Sequence, residues 1–256
     1  MTVQDDLAAL ATDLISDRAA LSHYDAYFEN GVDGELEIPR NARQELRSII
    51  ESGVTNWLKL VIETTAERLI VDGFRREDQD DTNSDLWKIW QDNRLDGRQM
   101  ALNVETLRYG YSYVSVWPRE GKSPVVAPES PLSVRVAYDG DDPFEPTSAF
   151  KIRGSKAWLY TPDEVVRLVA DTRAPSRWII VETVENTLGE VPFVKFRANP
   201  DNSGGHSSDL DVAIPIQQRI NRTHADRLHP APFPAFPRRE PTGPALGTAA
   251  PGHATA

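Results

Sequence analysis

The chain has 256 residues, a formal net charge of -11 at pH 7 and no cysteine. That length can bury a core in one large domain or two small ones, and the missing thiols exclude disulfide frameworks, Cys-type zinc sites and thiol nucleophiles. No run of about 18 apolar residues occurs and no secretory signal pattern opens the chain, so a soluble protein made in a cytoplasm, away from membranes, is expected. The acidic balance argues against electrostatic gripping of nucleic acid, which needs Lys and Arg; it suits simple solubility, and also a conduit past which DNA slides.

In chain order, Leu7, Leu10, Leu14, Ile15, Leu21, Tyr24 and Phe28 recur at helical spacing and predict an amphipathic helix over 5–28, ending at Asn30-Gly31. A second helix is expected from Asn41 to Glu51, behind Pro39. Val54 to Leu69 places Trp57, Leu58, Val61, Ile62, Thr65 and Leu69 near one helical face, and Asp72-Gly73 signals a turn. Asn83 or Ser84 can cap a helix whose Leu86, Ile89 and Trp90 share a stripe. Asp96 can cap a further helix with Met100, Val104 and Leu107 on one side, and Gly110 suits a left-handed end to it.

From Tyr111 to Phe196 the pattern turns to strands: 111–117, 125–127, 133–138, 148–153, 157–160, 178–184 and 193–196. Turn chemistry separates them at Glu120-Gly121-Lys122, Asp139 to Pro143 and Leu188-Gly189-Glu190. Residues 163–169 stay open between strand and short helix: Thr161-Pro162-Asp163-Glu164 starts like a helix, whereas Val165-Val166 favours strand. Residues 199–205 read as a loop or mobile linker, after which Ser207 or Ser208 caps a helix to about Leu228, with Leu210, Ile214, Ile220 and Leu228 on its apolar side. Seven of the 19 prolines lie in 230–256 among Ala, Gly and Thr, a composition expected to be disordered. The fold class expected is α+β: N-terminal helices, a mostly antiparallel β region, one long helix and a Pro/Ala/Gly-rich tail.

Three motif blocks carry a resemblance: Glu67-Arg68-Leu69-Ile70-Val71-Asp72-Gly73-Phe74-Arg75, then Leu86-Trp87-Lys88-Ile89-Trp90-Gln91-Asp92-Asn93-Arg94-Leu95-Asp96, then Tyr109-Gly110-Tyr111-Ser112-Tyr113-Val114. Together they resemble the N-terminal core of the portal proteins of tailed phages, of the type in phages and prophages of actinobacteria. Further matches come in order at Tyr138-Asp139, Ala149-Phe150-Lys151, Leu159-Tyr160-Thr161-Pro162-Asp163 and Gly189-Glu190-Val191-Pro192-Phe193-Val194. Ala235-Phe236-Pro237-Arg238 and Thr242-Gly243 still resemble the family's passage from stem to clip, but the residues after them do not. The resemblance implies family-motif roles for Arg68, Gly73, Phe74, Arg75, Trp90, Asn93, Asp96, Gly110, Tyr113, Tyr160, Pro162 and Pro192.

The resemblance also implies an organisation: a wing-like α+β domain over 1–198, a linker over 199–206, a stem-like helix over 207–228 that projects from the wing with few contacts to it, and the tail over 229–256. Gln217, Gln218, Arg219, Asn221 and Arg222 then become candidates for the DNA-channel side of the stem; the alternative is a helix docked on its own domain. The function implied is a structural subunit of a portal ring of about twelve copies, located in the virion at the capsid vertex and in the host bacterial cytoplasm during assembly. Implied partners are its own copies, terminase, capsid and connector proteins, and double-stranded DNA passing without sequence-specific binding. The chain reads as the N-terminal half of such a protein, or as a truncated prophage remnant of one, and by itself is expected to be a monomer or a weak oligomer.

No catalytic, cofactor or metal residues are assigned. His23 and Asp25 with Glu29 or Asp33 match no ligand spacing, and the acidic run Glu77, Asp78, Asp80, Asp81 and Asp85 lacks the pattern of a calcium loop. No phosphate-binding loop and no Gly-x-Ser-x-Gly elbow occur, Ser203 to Ser208 included. His206, His224 and His229 do not stack on one helix face. The rival to the portal reading is an acidic α+β hydrolase of unknown substrate, which requires a concave pocket where titratable residues converge.

Overall fold

The computed structural model describes residues 3–34, 53–75, 84–171 and 177–228, with 44, 48 and 174 besides. Most of the expected 41–51 helix, the acidic residues 77–81, His229 and the tail with its 235–243 matches lie outside the described residues. The architecture is α+β: helices α1 (Val3–Asn30), α2 (Trp57–Ala66), α3 (Ser84–Asp92) and α4 (Leu95–Tyr109), strands β1 (Tyr111–Trp117), β2 (Val125–Glu129), β3 (Val134–Tyr138), β4 (Pro146–Arg153), β5 (Lys156–Tyr160), β6 (Glu164–Ala170), β7 (Trp178–Glu185) and β8 (Phe193–Arg197), and helix α5 (Asp209–Leu228). Two antiparallel sheets form, one ordered β2-β1-β8 and one a meander ordered β3-β4-β5-β6-β7.

The open segment 163–169 is strand. Thr161 makes the turn into it, its hydroxyl donating to Glu164 O and accepting from the Glu164 N–H, and β6 then buries Val165, Val166 and Leu168.

Three cores hold the molecule. One lies between the sheets, where Tyr111, Tyr113 and Phe193 meet Val134, Val136 and Ala149 under Leu21 of α1. The second gathers Tyr27 and Phe28 of α1, Leu58, Ile62 and Ala66 of α2, Leu107 of α4 and Leu210 of α5. The third packs Leu10 and Leu14 of α1 on Phe150, Leu159, Val166 and Leu168 of the five-stranded sheet.

Several local expectations shift. Helix α2 is shorter than expected because Asn56 caps it, accepting from the Leu58 and Lys59 N–H groups, and its buried stripe is Leu58, Ile62 and Ala66, leaving Trp57, Val61 and Leu69 exposed. On α1, Ile15 also faces out. Asp96 does not cap α4: the junction residue is Arg94, held left-handed at φ 53°, and Asp96 sits in the first turn. Gly110 does end α4 left-handed, at φ 84°.

The segment 199–206 forms a hydrogen-bonded loop. Asp201 Oδ1 accepts from the Ser203 N–H, the Ser203 hydroxyl and the Gly205 N–H, and Ser207 N–H closes the loop on Ala198 O. Ser208 then caps α5, its hydroxyl accepting from the Leu210 N–H while lying within bonding reach of Leu107 O and Arg108 O.

The expectation of a projecting helix is overturned, because α5 is docked along one side on α2 and α4. Two polar residues do much of the docking. Gln217 Nε2 donates to Thr55 O and Asn221 Oδ1, its Oε1 accepts from the Trp57 N–H, and Asn221 Nδ2 donates to Gly31 O. Buried amides satisfied in this way hold chain segments together and are costly to break. Gln217→Ala leaves the Thr55 carbonyl and the Trp57 N–H without their partner and should lower unfolding free energy in urea by about 1–3 kcal/mol, whereas Arg219→Ala, on the exposed side, should change it by less than about 0.5 kcal/mol.

Candidate functional site

The family-motif residues do not converge on one pocket. They occupy joints. Phe74 lies edge-on to Trp90, with ring centroids 5.7 Å apart, and Trp87 stacks beside Trp90 at 6.2 Å. Trp90 Nε1 donates to Asp96 Oδ1 at 2.7 Å, tying α3 to the first turn of α4. Asn93 Nδ2 donates to Ile89 O and Pro124 O, and its Oδ1 accepts from the Val126 N–H, so this one side chain pins the α3–α4 corner to β2. At Gly110 an added Cβ would stand 2.9 Å from the Ser207 carbonyl carbon, so both the left-handed backbone and the close approach of the α5 entry require glycine.

Tyr113 is fully buried between the sheets. Tyr160 packs edge-on against Trp117 and Phe193, and burial pushes its hydroxyl up to about 12. Pro192 offers its carbonyl to the Val116 N–H, and Pro162 sits in the β5–β6 turn. Arg68, Gly73 and Arg75 lie on the segment between α2 and α3, where Arg68 N–H bonds Thr65 O and both arginine side chains face solvent. Of the five channel candidates, Gln217 and Asn221 are turned into the body, while Gln218, Arg219 and Arg222 remain exposed.

One groove of about 690 Å³ opens between the sheets and α4, lined by Glu105, Ser115, Trp117, Glu129, Lys151 and Tyr160 among others. Glu129 is spoken for by an ion pair with Lys151 and a hydrogen bond from Ser115. Burial raises the Glu105 carboxyl above its ordinary value, against the lowering effects of Ser130 and Arg108. Among the described residues, no three His, Cys, Asp or Glu side chains are grouped to hold a metal.

The acid/base candidates at the end of α1 are structural: Asp25 accepts from the Tyr109 hydroxyl and pairs with Arg108, which also reaches Glu29, and His23 lies on Tyr24. His206 packs edge-on to Tyr111, and desolvation with Lys195 and Arg197 nearby pushes it down to about 4. His224 Nδ1 lies 3.3 Å from Gly53 O.

Comparison with known proteins decides what these joints belong to. The family described as "Phage portal protein, SPP1 Gp6-like" matches residues 19–237. The chain belongs to this family. It is 26% identical over 218 residues to the portal protein of Mycobacterium phage L5, covering 75% of this chain and 40% of that protein. It is 28% identical over 161 residues to the portal protein of Mycobacterium phage D29, covering 53% of this chain and 30% of that protein. The chain therefore spans two fifths or less of the portal relatives it matches. No helix among the described residues is long and apolar enough to cross a membrane.

Sequence reasoning missed the groove, whose residues are scattered over several elements, and the burial of Gln217 and Asn221, whose partners at Thr55, Trp57 and Gly31 lie far away in sequence. Gly110 was legible as a left-handed helix end, and Asn93 as a residue of the resemblance without what it holds.

Two measurements test these roles. Asn93→Ala should cost about 1–3 kcal/mol, because buried partners lose their bonds, and hydrogen exchange should speed up in β2 before it does in β6. Glu105 holds its proton more tightly folded than unfolded, so its contribution is fully present below the ordinary glutamate range and is lost as pH rises through the raised folded value. Glu105→Gln should therefore raise Tm relative to the parent at neutral pH and close that gap in acid.

Proposed function

We propose that this chain is a structural subunit, or the N-terminal part of one, in the phage portal ring through which double-stranded DNA enters and leaves the capsid. The observation that carries the reading is the family match over residues 19–237, and the conversion of the family-motif residues into fold joints supports it. In this reading the β-rich body, 1–198, is the wing, in contact with neighbouring copies and the capsid. Helix α5 is the start of the stem, with Gln218, Arg219 and Arg222 as its outward residues. Terminase docks on the ring during packaging and the connector replaces it later, so the protein's place is the virion vertex, and the host cytoplasm before assembly.

The charge of -11 fits a wall past which DNA moves without sticking. The rival hydrolase finds no support in the comparisons, and in the groove Glu129 is held in an ion pair with Lys151. Side-by-side copies of an acidic subunit repel, so self-association followed by sedimentation should strengthen as salt rises and screens the charge over about 8 Å or less. The chain should also leave duplex DNA unshifted in a mobility assay. Salt-sensitive DNA binding would refute the reading.

A further inference from the structure

Each sheet ends in an open edge with apolar side chains left in water. In the five-stranded sheet this edge is β7, the last strand in the order, where Ile179, Ile180 and Val181 are 46%, 44% and 63% exposed. Three consecutive exposed aliphatics occupy both faces of the strand, so turning the strand over would not bury them. Asn186 N–H donates to Asp163 O, and Glu164 stands opposite Glu185. Antiparallel alternation then turns the N–H and C=O of Thr183 and Glu185 outward, where they meet no hydrogen-bond partner among the described residues.

The three-stranded sheet ends in β8, where Val194 and Phe196 are 54% and 43% exposed. Val116 N–H donates to Pro192 O and Ala198 N–H to Gly110 O, so the outward backbone groups belong to Lys195 and Arg197. A groove of about 660 Å³ lies against β8, with Tyr138, Phe144, Pro146 and Leu188 in its walls and Lys195 and Arg197 among its lining residues.

The two edges carry opposite charge. Strand β7 bears Glu182 and Glu185, and β8 bears Lys195 and Arg197. The Lys195 ammonium stands 4.3 Å from the centroid of the Tyr111 ring and makes no ion pair among the described residues. Desolvation by burial, with Arg197 and Arg135 nearby, pushes it down to about 8. Arg197 lies over Phe144 and donates from Nη2 to Pro143 O, with no carboxylate partner among the described residues. Of the carboxylates on β7, Glu182 pairs with Arg167 at the surface.

We infer that β7 of one copy adds as a strand to the β8 edge of the next copy, Glu185, which makes no ion pair among the described residues, meeting the Lys195 and Arg197 side and the aliphatics of β7 covering Val194 and Phe196. The contact joins two different surfaces of the same chain, so it is heterologous and propagates from copy to copy, closing into a ring when the rotation permits. Backbone pairing supplies affinity, and the charge pattern sets the partner. This rests on the portal reading and names the surface through which its copies meet.

The absence of native cysteine allows a direct test on the full chain. Single-cysteine chains are made at Val181 and Thr183 on β7, and at Val194 and Phe196 on β8, then mixed and oxidised, with sedimentation run on the same samples. Mixtures of a β7 cysteine with a β8 cysteine should cross-link about tenfold more than either alone, and a chain carrying one of each should give a ladder of multimers. Thr183→Pro removes only an outward N–H, which an edge strand tolerates, and should abolish the ladder while circular dichroism stays unchanged. Association that persists without β7–β8 cross-links, or no association at all, overturns this interface and leaves the portal reading standing on the family match; salt-sensitive binding of duplex DNA overturns the portal reading itself.

Discussion

Helix α1 is the element on which the rest depends, because among the described residues it alone supplies buried side chains to all three cores. A straight helix of 28 residues is about 42 Å long, enough to run from the five-stranded sheet, where Leu10 and Leu14 pack, to the helical core, where Phe28 packs. Its polar residues are tied down as well. Asp17 pairs with Arg135 of β3, Arg18 Nε donates to Leu132 O, and Asp25 meets Arg108 and the Tyr109 hydroxyl. Apolar burial provides the driving force, and these directional bonds decide the rotation and register of the helix against each sheet.

On that spine the family-motif residues act as joints between consecutive elements. Phe74, Trp90 and Asp96 join α3 to α4, Asn93 joins their corner to β2, and Gly110 lets the start of α5 approach the end of α4. The charged groups of the inter-sheet groove fit the same pattern: the Glu129–Lys151 pair, with Ser115 on the carboxylate, bridges β2 and β4. A buried ion pair is weak evidence of net stabilisation but strong evidence of a fixed arrangement, since losing either partner strands the other.

What the structure leaves open is as ordered as what it closes. Among the described residues, two sheet edges left open are one acidic strand and one basic strand at the ends of different sheets. Soluble proteins blunt such edges to avoid promiscuous pairing. Here the irregular register between β6 and β7 near Arg167 and Leu168, together with the glutamates, narrows what β7 can accept without covering its aliphatics.

Local sequence determined the elements and several of their ends. Alternation and turn residues marked the strands, helical spacing marked α1 and α4, and Gly110 and Ser208 marked a helix end and a helix start, because these signals act within a few residues of chain. The family motif likewise marked Asn93 and Asp96 as residues that matter, though not what they hold. Tertiary structure alone decided the side of α5 that docks. Gln217 and Asn221 read as solvent-facing by polarity, yet they are buried because Thr55, Trp57 and Gly31, over 150 residues away in sequence, offer the backbone groups that satisfy them. It also decided that Trp57, Ile15 and the β7 aliphatics stay in water, since a hydrophobic residue reports a preference for burial and only the assembled neighbours determine whether a partner surface is there to meet it.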